Sequence, residues 1–496
     1  MAEKILEEYN LDVNALAVNI KIVDRDEFVP SYIATTVGIS DITKLLINSW
    51  RNELVELVPI DIMRLQDKEY IKELNNRYEQ ETNLLIDKYL PHTDDKTRSL
   101  IVAYVRNMMV GLGELEIVLA DENLEEVTVN GPKKPVWVFH KRYGWCKTNI
   151  IMESDEQIYE YSEKIGRNVG REINNLQPLM DAELLDGSRV NATLFPVSQS
   201  GNTITIRKFS KNPWTMPALI KAKSLTPELA GLIWLCIQNE ISLIIAGGTA
   251  SGKTSFLNAM SIFFPPNRRI ISAEETRELE LPNFFQWVAM LTRQPNPEGK
   301  GEIKLYDLLI NSLRQRPDII LVGEVRTKSD AEVMFEAIHT GHSVYGTVHA
   351  DNAQDFIIRM TNPPIDISKV TLNALGGVIV NFRHRSKGIR RVLEFAEVTQ
   401  SGDASVLYRW DVNLDTQIKI SEMSRLNDTL KLYSGMSDKE IVDDVQEKAK
   451  VLQWMVKNNV VDVDSSGLVI ANYYKNKDKV MQIVNDDVKY TPDLFK

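Results

Sequence analysis

The chain has 496 residues, of which 43% are apolar and 26% charged, and its net charge is −11. This composition is typical of a folded globular protein with about two to four domains and excludes a disordered chain. The negative charge argues against a protein that coats nucleic acid, so no nucleic-acid partner is expected.

The cysteine content and the hydropathy indicate the cellular compartment in which the protein is expected. The two cysteines, Cys146 and Cys236, lack the spacing of a zinc site or a disulfide framework, and we expect small core residues in a reducing cytoplasm. No run of about 18 apolar residues is present, and the charged first residues do not resemble a signal peptide. Any membrane association is therefore expected to be peripheral.

The first predicted segment, residues 1–105, is mostly helical and charged. Apolar residues recur at helical intervals among Glu, Asp and Lys, most clearly over residues 62–89. We predict a helical N-terminal extension that acts as an adaptor, docking on a membrane partner or on lipid.

Residues 106–207 are predicted to form a smaller mixed α/β domain. Residues 124–129 indicate a strand that ends in the turn Asn130-Gly131-Pro132, and residues 136–140 and 203–207 indicate further strands. The following stretch, 208–222, contains two prolines without periodicity and is predicted to be a linker.

The next segment, residues 223–415, alternates short apolar runs with helical stretches. A helix is expected after Thr226, with Pro227 at its first position, and buried strands are expected at 243–246, 269–272 and 319–322. Such a pattern is typical of a parallel sheet with crossover helices, so the fold class is α/β. Residues 416–496 return to charged helices.

A phosphate-binding loop follows the first of these strands. Gly247-Gly-Thr-Ala-Ser-Gly-Lys-Thr254 matches the pattern G-x-x-x-x-G-K-[ST], with a strand before it and a helix after it. Backbone amides and the helix N-terminus suit phosphate, Lys253 suits the β- and γ-phosphates, and the Thr254 hydroxyl suits Mg²⁺. The predicted cofactors are therefore ATP and Mg²⁺. The predicted nucleotide-binding residues are Gly247, Gly248, Thr249, Ala250, Ser251, Gly252, Lys253, Thr254 and Ser255.

Two acidic segments accompany this loop. Residues 316–324 read as a strand ending in a carboxylate, with Gly323 at the usual aspartate position and Glu324 as the candidate to orient water or hold Mg²⁺. A further strand ends in Ala273-Glu-Glu-Thr-Arg-Glu278, at the edge where such sheets bind ligands.

A histidine-rich segment completes the set. Three of the six histidines, His339, His342 and His349, lie within eleven residues. Their spacing is wrong for a zinc site on a single helix. His342 and His349 bracket a short strand, which leaves γ-phosphate sensing, signalling across a subunit interface and a structural role in the core as alternatives.

These four elements in this order resemble the type II/type IV secretion ATPases, the motors of secretion and pilus assembly. The most specific matches are Gly-Glu-Val-Arg at 323–326 and Thr-Gly-His at 340–342. The residues 275–282, 293–302 and 124–143 look most like the archaeal branch, which includes the archaellum motor.

The resemblance implies a homohexamer in which a RecA-like ATPase domain is joined by a flexible linker to an N-terminal domain. Arg189 and Arg207 match the family arginines that contact the γ-phosphate, and Glu278 matches its catalytic carboxylate. Glu275 stands where many members have Asp. The partners implied are a polytopic inner-membrane platform protein and, indirectly, pilin-like or archaellin subunits, with the chain on the inner face of the cytoplasmic membrane.

The predicted function is therefore an ATP-hydrolysing motor. The predicted catalytic residues are Glu278, Glu324, Lys253, Arg189, Arg207, His342 and His349, and the predicted metal ligands are Thr254, Glu275 and Glu324, partly through water. The general base is Glu278 or Glu324. The alternatives are an ATPase that exports DNA or effectors, and a nucleotide-gated scaffold with little turnover.

Overall fold

A computed structural model describes residues 3–25, 27–59, 68–184, 186–209, 213–295, 299–384 and 388–495. The chain forms two compact units, Met1–Lys211 and Asn212–Lys496. Within the described residues, each unit contains one nine-stranded sheet.

The strands of the first unit are β1 (Lys4–Val13), β2 (Leu16–Asp24), β3 (Ser31–Thr36), β4 (Leu124–Val129), β5 (Pro135–His140), β6 (Gly144–Ile151), β7 (Leu179–Glu183), β8 (Arg189–Thr193) and β9 (Thr203–Arg207). Its helices are α1 (Asp41–Leu57), α2 (Lys68–Tyr89), α3 (Asp95–Met109), α4 (Leu115–Ala120) and α5 (Asp155–Asn168).

The strands of the second unit are β10 (Leu243–Gly247), β11 (Arg269–Glu274), β12 (Gln286–Leu291), β13 (Ile319–Val322), β14 (Ser343–Val348), β15 (Gly377–His384), β16 (Ile389–Val398), β17 (Ala404–Asp411) and β18 (Thr416–Lys419). Its helices are α6 (Met216–Lys221), α7 (Pro227–Gln238), α8 (Lys253–Ser261), α9 (Leu305–Leu313), α10 (Lys328–His339), α11 (Ala353–Thr361), α12 (Lys369–Leu372), α13 (Arg425–Ser434), α14 (Asp438–Lys457), α15 (Val463–Lys475), α16 (Lys477–Asn485) and a final 3-10 helix (Pro492–Phe495).

The N-terminal residues form strands, so the prediction of a helical segment from the start of the chain is wrong for residues 4–36. The sheet order is β1-β2-β3-β6-β5-β4-β9-β8-β7, antiparallel except where β3 pairs with β6. The physical reason is a period of two: Val18, Ile20 and Ile22 are fully buried on one face of β2. β1–β3 therefore extend the sheet of the α/β domain.

Helices follow these strands, in agreement with the rest of the N-terminal prediction. Trp50 on α1, Tyr78 on α2 and Ile101 on α3 belong to a core that is separate from that of the sheet. Part of the predicted helix 62–89 lies outside the described residues, up to residue 67. The predicted domain boundary at residue 105 falls inside α3, so these helices continue into the next segment.

The second sheet is parallel over the order β12-β11-β13-β14-β10-β15 and antiparallel from β15 to β18. The predicted strands at 243–246, 269–272 and 319–322 are confirmed as parts of β10, β11 and β13. Buried apolar residues pack on both faces, as the near-continuous apolar runs predict.

The C-terminal helices complete the core of the second unit. Helix α7 is apolar on all sides, and nine consecutive residues of it are buried, because it packs against α14 within the apolar core of the second unit. A Cβ at Gly231 would lie 2.6 Å from the Val445 carbonyl oxygen, so α7 and α14 make a close backbone contact there. The predicted helical region 416–496 is confirmed after β18, which forms its first residues.

The predicted linker 208–222 is shorter than expected. Its second half is the helix α6, which begins after the N-cap Thr215 and buries Met216 in the core of the second unit. Residues 210–212 lie outside the described residues. The finer division of the chain into five segments otherwise stays a prediction.

Two further expectations from the sequence concern membrane-spanning helices and the two cysteines. Among the described residues, none of the helices combines the length and apolar character needed to cross a membrane. Cys146 and Cys236 are buried free thiols, and burial raises their pKa values to about 11 and about 12. Both are therefore inert core residues, as predicted.

Candidate functional site: the carboxyl edge of the parallel sheet

The phosphate-binding loop runs from the end of the buried strand β10 to the start of α8. Gly252 is the N-cap of α8 and has a φ of 89°, a left-handed conformation that favours glycine. A Cβ at Gly247 would lie 2.6 Å from the Asn381 carbonyl oxygen, so the neighbouring strand β15 also requires glycine there. The sequence thus wraps the loop tightly around the N-terminus of a helix, where backbone amides attract anions.

Lys253, the first residue of α8, closes this loop. Its ammonium group donates to the carbonyl oxygens of Gly247, at 3.0 Å, and of Gly248, at 3.2 Å. Burial lowers the pKa of Lys253, and the carboxylates of Glu324 and Glu278 act in the opposite direction. The predicted lysine therefore shares one electrostatic environment with both predicted carboxylates.

Two residues that the sequence analysis missed hold the loop from the side of β15 and β16. Asn381 Nδ2 donates to the Gly252 carbonyl oxygen at 3.1 Å, and Arg390 Nε donates to the Ala250 carbonyl oxygen at 3.2 Å. Both lie more than a hundred residues after the loop, and nothing in the local pattern marks them. They were therefore detectable only from the fold.

The loop suits a bound phosphate. The Ser251 hydroxyl oxygen is buried and has no hydrogen-bond partner within the described residues. A buried hydroxyl without a partner is costly, and an anion in the loop would accept a hydrogen bond from it. Thr254 and Ser255, at the first turn of α8, are half-buried. The donor groups therefore fit a nucleoside triphosphate.

The acidic segment after β11 is fixed by a residue whose role was not predicted. Glu274 Oε1 accepts hydrogen bonds from the backbone N–H groups of Glu278, at 3.0 Å, and Leu279, at 3.1 Å. Asn258 of α8 accepts another from Glu280 N–H at 2.7 Å. The backbone that carries Glu278 is thus tied both to its own strand and to the helix after the phosphate-binding loop.

Glu274 is only 1% exposed, and burial raises its pKa from 4.5 to about 7. Because the pKa is raised in the folded state, the stability from this group is full below about pH 4.5 and is lost as the pH rises through about 7. We expect Glu274→Gln to remove up to about 3 kcal/mol of this pH dependence. Urea unfolding at pH 5, 6, 7 and 8 measures the difference from wild type, with Glu332→Gln, at an exposed position of α10, as control. A constant difference across this range would contradict the prediction.

The strand β13 explains why Gly323 stands at the usual aspartate position. A Cβ at residue 323 would lie 3.2 Å from the Glu274 Cα, and Gly323 N–H donates to the Ala273 carbonyl oxygen at 2.9 Å. Thr347 of β14 donates to the Gly323 carbonyl oxygen at 2.6 Å. The close approach of Glu274 disfavours a side chain at this position, and the next residue, Glu324, supplies the carboxylate.

Arg326 joins the two predicted metal-binding carboxylates. Its Nε and Nη2 atoms donate to Glu324 Oε2 at 2.8 and 2.6 Å, and its Nη1 atom donates to Glu275 Oε2 at 2.6 Å. The Gly-Glu-Val-Arg motif marked this arginine in the sequence without indicating its role. Glu275 and Glu324 provide the hard oxygen ligands that Mg²⁺ prefers, together with the Thr254 hydroxyl. This donor set fits magnesium.

The two predicted histidines lie at opposite ends of β14. His349 follows the end of the strand, and its Nε2 is hydrogen-bonded to the Thr249 hydroxyl of the phosphate-binding loop at 3.3 Å. His342 precedes the strand, about 20 Å away, and its Nδ1 lies 3.1 Å from the Ala337 carbonyl oxygen at the end of α10. Within one chain, His342 therefore lies at the opposite end of β14 from the phosphate-binding loop, and its place in the catalytic set stays a prediction.

Arg189 and Arg207 belong to the first unit. They are directly opposite each other on β8 and β9, so their side chains leave the same face of the sheet, and both are exposed. Arg189 forms an ion pair with Asp181 at 3.2 Å, and Arg207 is opposite Glu126 on β4. Like charges at directly opposed positions repel, so the pair is suited to an anion.

A glycine-rich loop between a parallel strand and a helix, a lysine that closes it and carboxylates at the neighbouring strand ends define a P-loop nucleotide-binding protein. The family model described as "Type II/IV secretion system protein" matches residues 111–381. The chain belongs to this family, and the resemblance found in the sequence is confirmed.

Two proteins and one solved structure are similar to this chain. The uncharacterized protein MJ0900 of Methanocaldococcus jannaschii is 32% identical over 400 residues, which are 78% of this chain and 71% of that protein. A putative conjugal transfer protein of Mycobacterium tuberculosis is 29% identical over 59% of this chain and 86% of its own. The X-ray structure of the Legionella pneumophila ATPase DotB shares 17% identity over 72% of this chain and 95% of its own, with a TM-score of 0.43.

Proposed function

We propose that this protein is an ATP-hydrolysing motor of a secretion, pilus or archaellum system. The observation that carries the proposal is the convergence of Lys253, Glu278, Glu324 and His349 on the phosphate-binding loop at one edge of a parallel sheet. A protein that only bound nucleotide would need the loop and the lysine. The two carboxylates are the groups that hydrolysis adds.

In the proposed reaction, water attacks the γ-phosphorus in line with the bond to the β–γ bridging oxygen, which breaks and leaves ADP. Glu278, whose backbone is fixed by Glu274, orients this water and accepts its proton. Lys253 and the loop amides neutralise the charge that develops on the phosphate oxygens. Magnesium, held by Thr254, Glu275 and Glu324, would add further neutralisation when bound.

Conversion of hydrolysis into movement is assigned to the first unit. In the proposal, Arg189 and Arg207 contact the γ-phosphate and favour closure of one unit on the other only while that phosphate is present. A homohexamer would pass this movement to a polytopic membrane platform protein, and through it to pilin-like or archaellin subunits. The protein would then act in the cytoplasm, peripherally on the membrane.

A second candidate function is export of DNA or effector proteins. It is favoured by the similarity to a protein named for conjugal transfer. The net charge of −11 counts against direct contact with DNA. An ATPase rate that rises on addition of single-stranded or duplex DNA would favour export over filament assembly.

The proposed function is tested by steady-state ATPase activity and by the mass of the assembly with and without Mg-ATP. We expect nucleotide-dependent hexamers, and we expect Glu324→Gln to lower kcat about 10²-fold or more while nucleotide binding persists. Glu332→Gln, which changes an exposed carboxylate of the same unit, serves as the matched control. A monomer without turnover under every condition, including added lipid, would support the scaffold alternative instead.

A further inference from the structure

Arg326, to which the sequence assigned no role, forms a bridge between two segments of the site. One guanidinium group contacts Glu275, after β11, and Glu324, after β13, through bonds of 2.6 to 2.8 Å. In each carboxylate, the oxygen used is Oε2. The two acidic segments are therefore connected through a single side chain.

The backbone holds Arg326 in this position. Val325 is buried, and its N–H donates to the Thr347 carbonyl oxygen at 2.9 Å. Thr327 is the N-cap of α10 and forms a capping box with Asp330. Arg326 thus lies between an anchored residue and an anchored helix start, and its direction toward the two carboxylates follows from the local fold.

The charge balance links this bridge to the metal. A guanidinium group and a divalent cation favour the same carboxylate oxygens and repel each other at short distance. The part of the chain that the structure describes contains no group of three or more His, Cys, Asp or Glu side chains able to hold a metal ion. Magnesium commonly binds through one or two carboxylates and the phosphates of a substrate. The two carboxylates alone are therefore a weak site, and Arg326 weakens it further.

We propose that Arg326 controls metal binding: it occupies Glu275 and Glu324 in place of the divalent cation, so that metal enters only together with nucleotide. The inference rests on the proposed function, because it takes these carboxylates as the metal-binding pair. The nucleotide phosphates supply the missing oxygen ligands, and their negative charge attracts the guanidinium group away from the carboxylates. The result is a site that stays metal-free until ATP is bound.

The test measures Mn²⁺, used as the probe metal, by electron paramagnetic resonance in the absence of nucleotide. We expect Arg326→Gln to bind Mn²⁺ at least about tenfold more tightly than wild type, because one positive charge beside the carboxylates is removed. Arg326→Lys retains the charge and should resemble wild type. Adding Glu275→Gln or Glu324→Gln to Arg326→Gln should cancel the gain. Equal or weaker Mn²⁺ binding by Arg326→Gln would overturn the proposal.

Two further measurements distinguish a failure of this inference from a failure of the proposed function. Arg326→Met, which keeps an aliphatic side chain, is measured in parallel, and binding of metal-free ADP shows that the phosphate-binding loop is intact in each variant. If wild type hydrolyses ATP but neither variant gains Mn²⁺ affinity, the inference fails and the proposed function stands. If the Mn²⁺ gain appears in a chain without turnover, the metal control stands and the motor proposal fails.

Discussion

Lys253→Ala should reduce nucleotide affinity by about 10²–10³-fold and remove measurable ATP turnover. In the structure, the ammonium group donates to the carbonyl oxygens of Gly247 and Gly248. A bound triphosphate would replace these two contacts with hydrogen bonds to anionic phosphate oxygens, which are stronger because both partners are charged, in a partly desolvated loop. Isothermal titration with ADP and ATP, together with phosphate release, measures both effects.

Lys328→Ala is the matched control for this prediction. Lys328 is also the first residue of a helix, α10, but its ammonium group pairs with Asp366 at 3.0 Å on the surface. An exposed ion pair contributes little, so this variant should keep wild-type affinity and turnover. Comparable losses in both variants would mean that the effect of Lys253→Ala is a general loss of folding, and unchanged affinity in Lys253→Ala would exclude a phosphate contact.

The core of the second unit could be predicted from the sequence because its central strands are short, continuous apolar runs. Runs such as Leu243–Ala246 and Ile319–Val322 are too short and too apolar for anything but buried strands next to a glycine-rich turn. Helix α7 was predictable in the same way, from the N-cap Thr226 and from Pro227 in its first turn. In these places local propensity and tertiary packing favour the same structure.

The prediction of a helix within the first 36 residues was wrong because charged residues obscured the weaker period of two that is typical of strands. β1 carries Glu7 and Glu8, and β2 carries Lys21, so the stretch looks like a solvated helix face. Alternation is clearest on β2, where Leu16, Val18, Ile20 and Ile22 are buried, and it extends into the second half of β1, where exposed and less exposed residues alternate from Glu8 to Val13. Strand β3 pairs with β6, which lies more than a hundred residues away, and no local pattern indicates that pairing.

The motif residues of the site were predictable from the sequence, but the residues that hold their backbone in place were not. Lys253, Glu278 and Glu324 are marked by spacing, because the loop and the strand ends must carry these groups. Glu274 and Asn381 act through hydrogen bonds to backbone groups that only the folded chain brings close. The distance of His342 from the loop was unpredictable for the same reason, since a motif gives the order of residues and not the end of the strand at which each lies.

The pair Arg189 and Arg207 provides the second large expected effect. We expect Arg189→Gln combined with Arg207→Gln to lower kcat about 10³-fold while ADP affinity stays within about twofold of wild type. In the proposed mechanism these arginines contact only the γ-phosphate, so their loss removes charge stabilisation in the transition state. ADP lacks that phosphate, and its binding depends on Lys253 and the loop amides.

The single variants refine this prediction. Arg189 and Arg207 are directly opposed, and each has an acidic neighbour, Asp181 or Glu126. If both act on one phosphate, their effects should be strongly non-additive, because a displaced phosphate satisfies neither arginine. Kinetics of the two single variants and the double variant over a range of ATP concentrations measure this coupling.

Arg142→Gln is the control, since Arg142 is an exposed arginine of the same unit with a long, 3.9 Å pairing to Glu7. It should leave kcat and KM unchanged. A loss of ADP affinity in the double variant equal to its loss of kcat would show that the arginines act in general nucleotide binding. Unchanged turnover would separate the first unit from the chemistry, and the coupling of hydrolysis to domain closure would then need a different contact to the γ-phosphate.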